Sequence, residues 1–267
     1  MSQKRQAENR STNPADYQRV PRAVAAMPKD FASGFEIAPH RHERAQLIYA
    51  TIGTMRVSTG DGVWVVPPLR ALWMPSGVRH SIVMSGNVTM RTLYLRADAA
   101  EGMPRTCHVL AVSPLLRELI IRATELPLRY DEKGPAGHVV ALLLDELHGF
   151  GSLPLQLPMP RDKRLKRICE SLLAAPGDLR TLDEWSVSAN ASPRTLARLF
   201  VAETGLTFGA WRQQARVLEA MGRLGSGEPV TQVALDLGYE SVSAFSAMFR
   251  RAAGASPRQY RHRPAAA

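Results

Sequence analysis

Cysteine is nearly absent from this chain of 267 residues, which has only Cys107 and Cys169, far apart and outside any CxxC pattern. A disulfide framework is therefore excluded. Long apolar runs are also missing, since none approaches the roughly 20 residues that a membrane helix needs. Residues 1–10 are polar throughout and lack the apolar stretch of a secretory signal. These absences predict a cytoplasmic protein that does not associate with a membrane.

The usual catalytic signatures are missing as well. The sequence has no glycine-rich phosphate loop, no nucleophile elbow and no HExxH motif. The acidic residues of its N-terminal part show no paired-carboxylate arrangement. We therefore assign no catalytic residue. The composition nevertheless suits a folded protein, because 45% of the residues are hydrophobic and 22% are charged, which excludes a wholly disordered chain.

The charge is unbalanced and is carried mainly by arginine. The chain has 34 Lys and Arg against 24 Asp and Glu, a formal net charge of +10. After Pro160 there are 16 basic and 10 acidic residues, so the shorter C-terminal part carries more than half of the excess. Such a segment is typical of proteins that bind the phosphate backbone of nucleic acids, although mildly basic domains are common elsewhere.

The first half of the chain is rich in β-branched and aromatic residues. Between about residues 31 and 96 this composition predicts short strands separated by turns, among them Pro75-Ser76-Gly77 and Ser85-Gly86-Asn87. Many short strands at close spacing predict a small barrel or sandwich. The predicted strands read AQLIYAT, TMRVST, GVWVVPP, RALWMP, HSIVM and VTMRTLYLR.

From residue 113 the pattern becomes helical. Ser113 followed by Pro114 predicts an N-cap with proline in the first turn, before an apolar helix face that includes Leu115. A second helix is predicted over about 135–147, and the apolar faces of both helices are candidates for a dimer seam. Three prolines in 154–160 exclude a helix there and argue against an ordered strand.

These features predict an α+β protein with several domains. We expect a disordered tail over residues 1–20 and a small β-barrel over 21–100. A helical dimerisation or linker region would follow over 101–150, and a proline-rich linker over 151–160. The remainder, 161–263, is predicted to be an all-α domain.

Residues 180–262 contain a twofold internal repeat, with equivalent positions 48 or 49 residues apart. Each copy has apolar residues spaced for a short helix and then Asn190 or Gly238, which tolerate a positive φ. A second helix then starts at Ser192 or Ser241. The matched pairs include Leu182 and Val230, Trp185 and Val233, Leu196 and Phe245, Phe200 and Phe249, and Trp211 and Tyr260.

The repeat predicts two helix-turn-helix units, at about 180–203 and 229–253. Their second helices have outward faces of small residues and arginines, suited to a major groove, in which arginine reads guanine. Arg250 and Arg251 lie one turn beyond the small residues and suit phosphates. The predicted DNA contacts are Ser192, Pro193, Arg194, Thr195, Ala197 and Arg198 in the first unit, and Ser241, Val242, Ser243, Ser246, Ala247, Arg250 and Arg251 in the second.

A connecting helix is predicted over 207–226. Its roughly 20 residues would span about 30 Å, which approaches the roughly 34 Å between successive major-groove faces. Two helical hairpins that merely pack together would not explain the composition of the outward faces. We therefore expect two DNA-reading helices on one spacer.

The stretch 182–260 closely resembles the AraC/XylS-type transcription regulators, through SPRTLARLF, TGLTF and PVTQVALDLGYESVSAFSAMFRRAAGASPRQYR. The resemblance implies a regulator that binds specific duplex DNA, with a homodimer and RNA polymerase as expected partners, and control of a neighbouring transporter or metabolic gene. The chain departs from the family at Trp185-Ser186, at Asn190, where glycine is common, and at Ala247, where many members have a basic residue. Base readout by the second unit is therefore expected to be weak.

Three histidines of the strand-rich region form a second pattern. Alternation would place His40 and His42 on the same side of one strand. The spacing resembles the two signatures of cupins, small jelly-roll barrels, and implies that these histidines and His80 converge on a transition metal. Gln46 stands where cupins usually have Glu, and Met84 where Asn is expected. The full pattern is Gly34-x5-His40-x-His42-x3-Gln46-x6-Gly53, then Pro75-x-Gly77-x2-His80.

Two interpretations of the histidines remain open. Three imidazoles suit Zn, Ni, Fe or Cu, with Gln46 as a weaker fourth contact because it is neutral. Metal affinity would then fall as the histidines protonate below about pH 6.5. Alternatively, these residues only line a small-molecule pocket or satisfy hydrogen bonds.

Three functions are compatible with these patterns. The first is a transcription regulator whose cupin domain senses a small molecule or metal. The second is a metal-dependent cupin enzyme, such as a dioxygenase, tethered to DNA; Gln46 argues against it, because it replaces the usual carboxylate. The third is an architectural DNA-binding protein with a degenerate barrel. We expect the first, without enzymatic activity.

Overall fold

The computed structural model describes residues 11–68, 70–149, 152–153, 156–225, 227–253 and 256–261. It divides the chain into two compact units, which we call the sheet unit (Met1–Thr59 and Val66–Leu155) and the helical unit (Gly60–Val65 and Gln156–Ala267). The α+β class predicted from the sequence is confirmed. No helix in these ranges is long and apolar enough to cross a membrane.

The sheet unit is built on antiparallel strands in the order β1-β6-β3-β5-β7-β8, with β2 also paired to β6. β4 also pairs antiparallel with β9, with Gly62 opposite Pro158. The strands are β1 (Val24–Phe31), β2 (Glu36–His40), β3 (Ala45–Thr59), β4 (Gly62–Val66), β5 (Arg70–Met74), β6 (His80–Leu95), β7 (His108–Ala111), β8 (Ser152–Leu153) and β9 (Gln156–Pro158).

Two long strands replace four predicted short ones. The expected break near Gly53 lies inside β3, and the expected turn at Ser85-Gly86-Asn87 lies inside β6, so both predictions are wrong. Gly53 and Gly86 have φ of 78° and 72°. Around Gly53 the register between the two strands shifts. These glycines bend the strands at bulges instead of ending them.

Two helices pack on the sheet, α2 (Pro114–Glu125) and α3 (Pro135–His148). The Ser113 hydroxyl accepts from the Leu116 amide at 3.0 Å, which confirms the predicted cap. The predicted dimer seam is wrong for most of the apolar helix faces, because they form the core with β-strand residues of the same unit. Among the large apolar side chains of these helices, Leu115 and Leu142 are exposed, at 47% and 44%.

The segment before β1 is ordered where the structure describes it. Residues 1–10 lie outside the described ranges, but α1 (Ala15–Gln18) places Tyr17 in the core with 0% exposure, so the predicted disorder is wrong for 11–20. The buried guanidinium of Arg44 holds this segment. It donates to the carbonyls of Gln18 at 2.8 Å, Arg22 at 3.0 Å, and Val20.

The predicted linker 151–160 contains the short strands β8 and β9, so the argument against strand structure there is wrong. Both strands are only two or three residues long. Pro158 ends β9, and proline is tolerated at strand ends because fewer ladder hydrogen bonds are lost there. Residues 150–151 and 154–155 lie outside the described ranges.

The helical unit repeats one motif twice. A helix of seven or eight residues, a turn and a helix of twelve residues form each copy, and α7 connects the two. This confirms both helix-turn-helix units and the connecting helix. The helices are α4 (Lys163–Ala174), α5 (Leu182–Ala189), α6 (Pro193–Thr204), α7 (Phe208–Gly225), α8 (Val230–Asp236), α9 (Val242–Ala253) and α10 (Pro257–Arg261).

Candidate DNA-binding surface and histidine cluster

The first reading helix, α6, is stabilised by its own N-cap and by two buried apolar side chains. The Ser192 hydroxyl accepts from the Thr195 amide at 3.2 Å, and Leu196 and Phe200 are fully buried. The opposite face carries Arg194, Ala197 and Arg198, all exposed, with Pro193 and Thr195 half-buried beside them. The predicted outward set therefore lies on one accessible face, although Leu199 is only half-buried.

The second reading helix, α9, has the same construction. The Ser241 hydroxyl accepts from the Ala244 amide at 3.1 Å, and Phe245 and Phe249 are fully buried. Ser246 is half-buried. The other predicted contacts of this unit are exposed: Ser241, Val242, Ser243, Ala247, Arg250 and Arg251.

The turns between the paired helices match as well. Asn190 has φ 48° and Gly238 has φ 77°, which confirms the positive φ predicted for both positions. Asn190 ends α5 in the left-handed conformation, which costs asparagine less than most residues. In both copies a buried ring of the reading helix meets an aromatic ring at the equivalent position 11 residues later. The Phe200–Trp211 and Phe249–Tyr260 centroids are 6.4 and 5.4 Å apart.

These two surfaces can approach a duplex closely. Their small side chains leave room for the backbone of the helix to enter a major groove. The arginines of α6 stand within that small-residue face, whereas those of α9 lie in its last turn. The first unit is therefore better equipped for base contacts and the second for phosphate contacts.

The sheet unit brings the three predicted histidines together. One ligand atom from each of His40, His42 and His80 lies within 4.8 Å of the others. His40 ends β2 and pairs directly across to His80 at the start of β6. His42 lies beyond the strand, so the prediction that alternation along one strand aligns it with His40 is wrong. The Gly77 amide donates to its carbonyl at 2.9 Å, and this bond holds the loop in place.

The hydrogen bonds of the imidazoles leave ring nitrogens free. Nδ1 of His40 donates to the Ala38 carbonyl at 2.8 Å, and Nδ1 of His80 donates to the Val78 carbonyl at 3.0 Å. Nε2 of His42, Nε2 of His80 and Oε1 of Gln46 are buried and have no hydrogen-bond partner among the described residues. Buried polar atoms are seldom left unpaired, so these three atoms are available to a water, an ion or a ligand.

Both buried histidines are held in the neutral form. Burial, together with neighbouring His40 and His80, lowers the pKa of His42 to about 4. Burial is also the main cause that lowers the pKa of His80 to about 4. The expected threshold near pH 6.5 is therefore wrong for these two residues, because the apolar surroundings disfavour the imidazolium.

A cavity of about 610 Å³ opens beside the cluster and is lined by His40, His42 and Gln46. The amide nitrogen of Gln46 donates to the Thr92 hydroxyl at 3.0 Å, which fixes its side chain. Much of the remaining wall is apolar or aromatic, with Met27, Phe31, Ile82, Met90 and Tyr94. Such walls suit a small organic ligand.

Some of these wall residues were not predicted from the sequence. The Tyr94 ring lies 5.0 Å from the His42 ring, centroid to centroid. Ile82, Met90 and Tyr94 are buried at even positions of β6, the same parity as His80. Period-two alternation continued through the bulge at Gly86 would have found them.

The donor set fits a transition metal. Three imidazoles with converging nitrogens, two of them anchored through Nδ1, form the arrangement by which proteins orient histidine ligands. The side-chain carbonyl oxygen of Gln46 is a further neutral atom that could ligate a metal. These residues could hold Zn, Ni, Fe or Cu, and the neighbouring cavity leaves space for a second ligand.

The sheet unit contains a cavity large enough for a small ligand, and the helical unit contains two helix-turn-helix units. Together they define a DNA-binding transcription regulator with a ligand-binding domain. Residues 32–175 match the family model described as an AraC-like ligand binding domain, and residues 185–263 match a helix-turn-helix domain. The chain belongs to the AraC family.

Two curated relatives agree with this assignment. The chain is 35% identical over 221 residues to the HTH-type transcriptional regulator NimR of Escherichia coli (strain K12), covering 83% of this chain and 81% of that protein. It is 33% identical over 129 residues to RipA of Corynebacterium diphtheriae, covering 48% and 36%. Among solved structures, ToxT of Vibrio cholerae O395 is 11% identical, with 90% and 97% covered and a TM-score of 0.39. Because the curated relatives are named as regulators, the enzyme alternative is not favoured.

Proposed function

We propose that this regulator reads two successive major grooves with α6 and α9 and adjusts that binding to the occupancy of the histidine cluster. The observation that carries the sensor part is the convergence of three imidazoles, two of which have a buried Nε2 without a partner among the described residues. A site of this kind is costly to keep empty, because unpaired buried polar atoms cost about 1–3 kcal/mol each.

The DNA contacts follow from the exposed faces. Arg194 and Arg198 of α6 make base contacts, and Arg250 and Arg251 of α9 make phosphate contacts. Smaller contacts come from the flanking residues Ser192, Pro193, Thr195, Ala197, Ser241, Val242, Ser243, Ser246 and Ala247. The 18-residue length of α7, about 27 Å, supports docking into grooves one helical turn apart.

The sensor site takes a transition metal on His40, His42 and His80, with Gln46 as a weaker contact. When bound, the metal supplies Lewis acidity and open coordination positions for a small-molecule effector. The histidines orient it, and the apolar wall of the cavity excludes water. The neutral state of His42 and His80 keeps their nitrogens available well below neutral pH.

The proposed partners rest on the family and on two exposed side chains. We expect a cytoplasmic homodimer that involves the exposed Leu115 and Leu142 of residues 101–150, with RNA polymerase as a further partner. Control of a neighbouring transporter or metabolic gene remains the expectation of the family. No enzymatic activity is proposed.

The test uses the full chain, purified without a histidine tag, stripped with a chelator and reloaded separately with Zn, Ni, Fe(II) or Cu. Elemental analysis should give one metal per chain for at least one of them. Fluorescence anisotropy on a duplex selected from a random pool should show different affinities for the stripped and loaded forms. Metal that stays well below one per chain, or identical DNA affinity in both forms, would contradict the sensor role.

A further inference from the structure

The loop that precedes the first helix-turn-helix unit contacts the turn of the second unit backbone to backbone, outside the connecting helix. The loop before α5 contains Gly177, and the turn between α8 and α9 contains Gly238. A Cβ atom on Gly177 would lie 2.2 Å from the Asp236 carbonyl oxygen and 3.7 Å from the Gly238 nitrogen. A Cβ atom on Gly238 would lie 2.9 Å from the Gly177 carbonyl oxygen. The two loops therefore touch backbone to backbone, at a distance that only glycine allows.

A buried arginine of the connecting helix contacts both of these loops. Arg216 of α7 is only 9% exposed. Its Nε donates to the Pro176 carbonyl at 2.9 Å and its Nη2 donates to the Asp178 carbonyl at 3.0 Å, so the guanidinium grips both sides of Gly177. On its other side the guanidinium carbon lies 5.7 Å from the centroid of Tyr239, the residue after Gly238.

Each side of this contact leads directly into a reading unit. The loop at 176–178 runs into α5, on which α6 packs, and Tyr239 packs edge-to-face on Phe245 of α9 at 5.5 Å. Burying a charged guanidinium is costly unless it is fully hydrogen-bonded, so this arrangement resists displacement of either loop. A connecting helix alone would leave the two units free to rock about its ends.

We propose that Arg216 and the contact between Gly177 and Gly238 form a joint that fixes the spacing and rotation of α6 relative to α9, so that Arg216 is a positioning residue for DNA recognition. The proposal rests on the docking of α6 and α9 into two grooves proposed above. Arg216 is buried, so it acts through the two loops and not by touching DNA. One added base pair between half-sites shifts the second groove by about 3.4 Å and a tenth of a turn, which a rigid joint cannot follow.

The experiment compares full-length variants on three duplexes. The first is selected from a random pool by the wild-type chain, the second has one base pair inserted between its half-sites, and the third keeps only the half-site read by α6. The variants are R216M, R216K and G177A, with G209A as the matched control. Gly177 and Gly209 both lack a left-handed φ, but a Cβ on Gly209 meets nothing within 4 Å.

The wild type and G209A should lose about tenfold in affinity on the inserted duplex, because one reading helix then loses its contacts in the groove. R216M and G177A should bind the selected duplex about tenfold more weakly, while their penalty for the insertion falls below about threefold and half-site binding stays near wild type. R216K, which keeps the charge but can reach fewer acceptors, should lie between.

The half-site duplex also reports folding. If R216M unfolds and loses half-site binding, R216K and G177A decide the outcome. The joint is overturned if the variants that bind the half-site keep the full insertion penalty, or if R216K and G177A weaken all three duplexes by one common factor. A wild type that binds both spacings equally would instead overturn the two-groove docking, and the joint with it.

Discussion

The histidine cluster and the reading helices concentrate polar side chains in opposite ways. In the sheet unit three imidazoles converge, and Nε2 of His42 and of His80 is buried without a partner among the described residues. In the helical unit the arginines stand outward in solvent on helices whose own cores are complete. A buried site of few donors should depend heavily on each one, whereas an exposed surface should divide its binding energy among many contacts. The following experiments test that contrast.

The largest effect is expected from His42→Ala in the sheet unit. It removes one of three converging donors, and even the loss of an outer-shell partner commonly costs 10–100-fold in metal affinity, so the loss should exceed about 100-fold. Metal competition titrations and DNA anisotropy together measure this. DNA binding by the stripped chain should stay near wild type, since the helical unit has its own core. His138→Ala, an exposed histidine of α3, is the control, and a similar metal loss there would break the contrast.

Arg194→Ala or Arg198→Ala should cost about 1–3 kcal/mol in binding to the selected duplex and relax the base preference. Both side chains are exposed within the small-residue face of α6. Binding-site selection with each variant reads the preference directly. Arg167→Ala in α4, also exposed, removes the same charge away from the reading helices. If each variant loses the same affinity for the selected duplex and for random duplexes, these arginines contact phosphates and not bases.

Acid should act on the two units in different pH ranges. The folded-state pKa of His42 and His80 is lowered to about 4 from 6.5, so their contribution to stability is complete above pH 6.5 and is lost as the pH falls toward 4. In the helical unit the hydrogen bond from the Arg164 guanidinium lowers the pKa of Asp162 to about 2. The stability that Asp162 contributes is therefore lost only at a lower pH than that of the two histidines.

Calorimetry between pH 7 and 5 should therefore lower the melting temperature of the metal-free sheet unit by roughly 5 °C and leave the helical unit nearly unchanged. The double variant of His42 and His80 to Ala should flatten the pH dependence. A parallel shift of both transitions would contradict the contrast.

The smallest effect is expected from Arg250→Ala and Arg251→Ala. Both arginines are exposed in the last turn of α9 and suit phosphates, so each change should weaken all sequences alike, by several-fold. Each should also reduce the slope of log affinity against log salt by about 0.9. Affinity measured from 50 to 200 mM salt gives that slope. A changed preferred sequence in selection would instead assign these residues to base readout.

The helical unit was predictable in more detail than the sheet unit for a physical reason. Its caps, turns and apolar faces are local, so Ser192, Asn190 and the repeat spacing defined both reading units. In the sheet, Gly53 and Gly86 are residues typical of turns, but they lie in bulges because long-range pairing keeps the strands continuous. The convergence of His80 with His40 depends on that same pairing. The spacing motif indicated it, but the loop position of His42 could not be read from alternation.

Arg216 shows a second limit of sequence reasoning. Nothing in the sequence separates Arg216 from the half-buried Arg212 and Arg223 of the same helix, and only the fold reveals that the Arg216 guanidinium is buried between two loops. Its partners are backbone carbonyls, which carry no residue identity. Gly177 gave no signal either, because the atom that excludes its side chain lies 59 residues away, at Asp236.

The three carbonyl acceptors of Arg44 decide where a recombinant fragment of the sheet unit can begin. A fragment cut at residue 21, the domain limit predicted from the sequence, would lose the carbonyls of Gln18 and Val20. Arg44 is only 7% exposed in the intact fold, so after the cut its guanidinium would keep unpaired donors or move out to water, and unpaired buried donors of a charged group cost about 1–3 kcal/mol or more. Truncation there would also delete Tyr17 from the core. A soluble, stable ligand-binding fragment should start before α1.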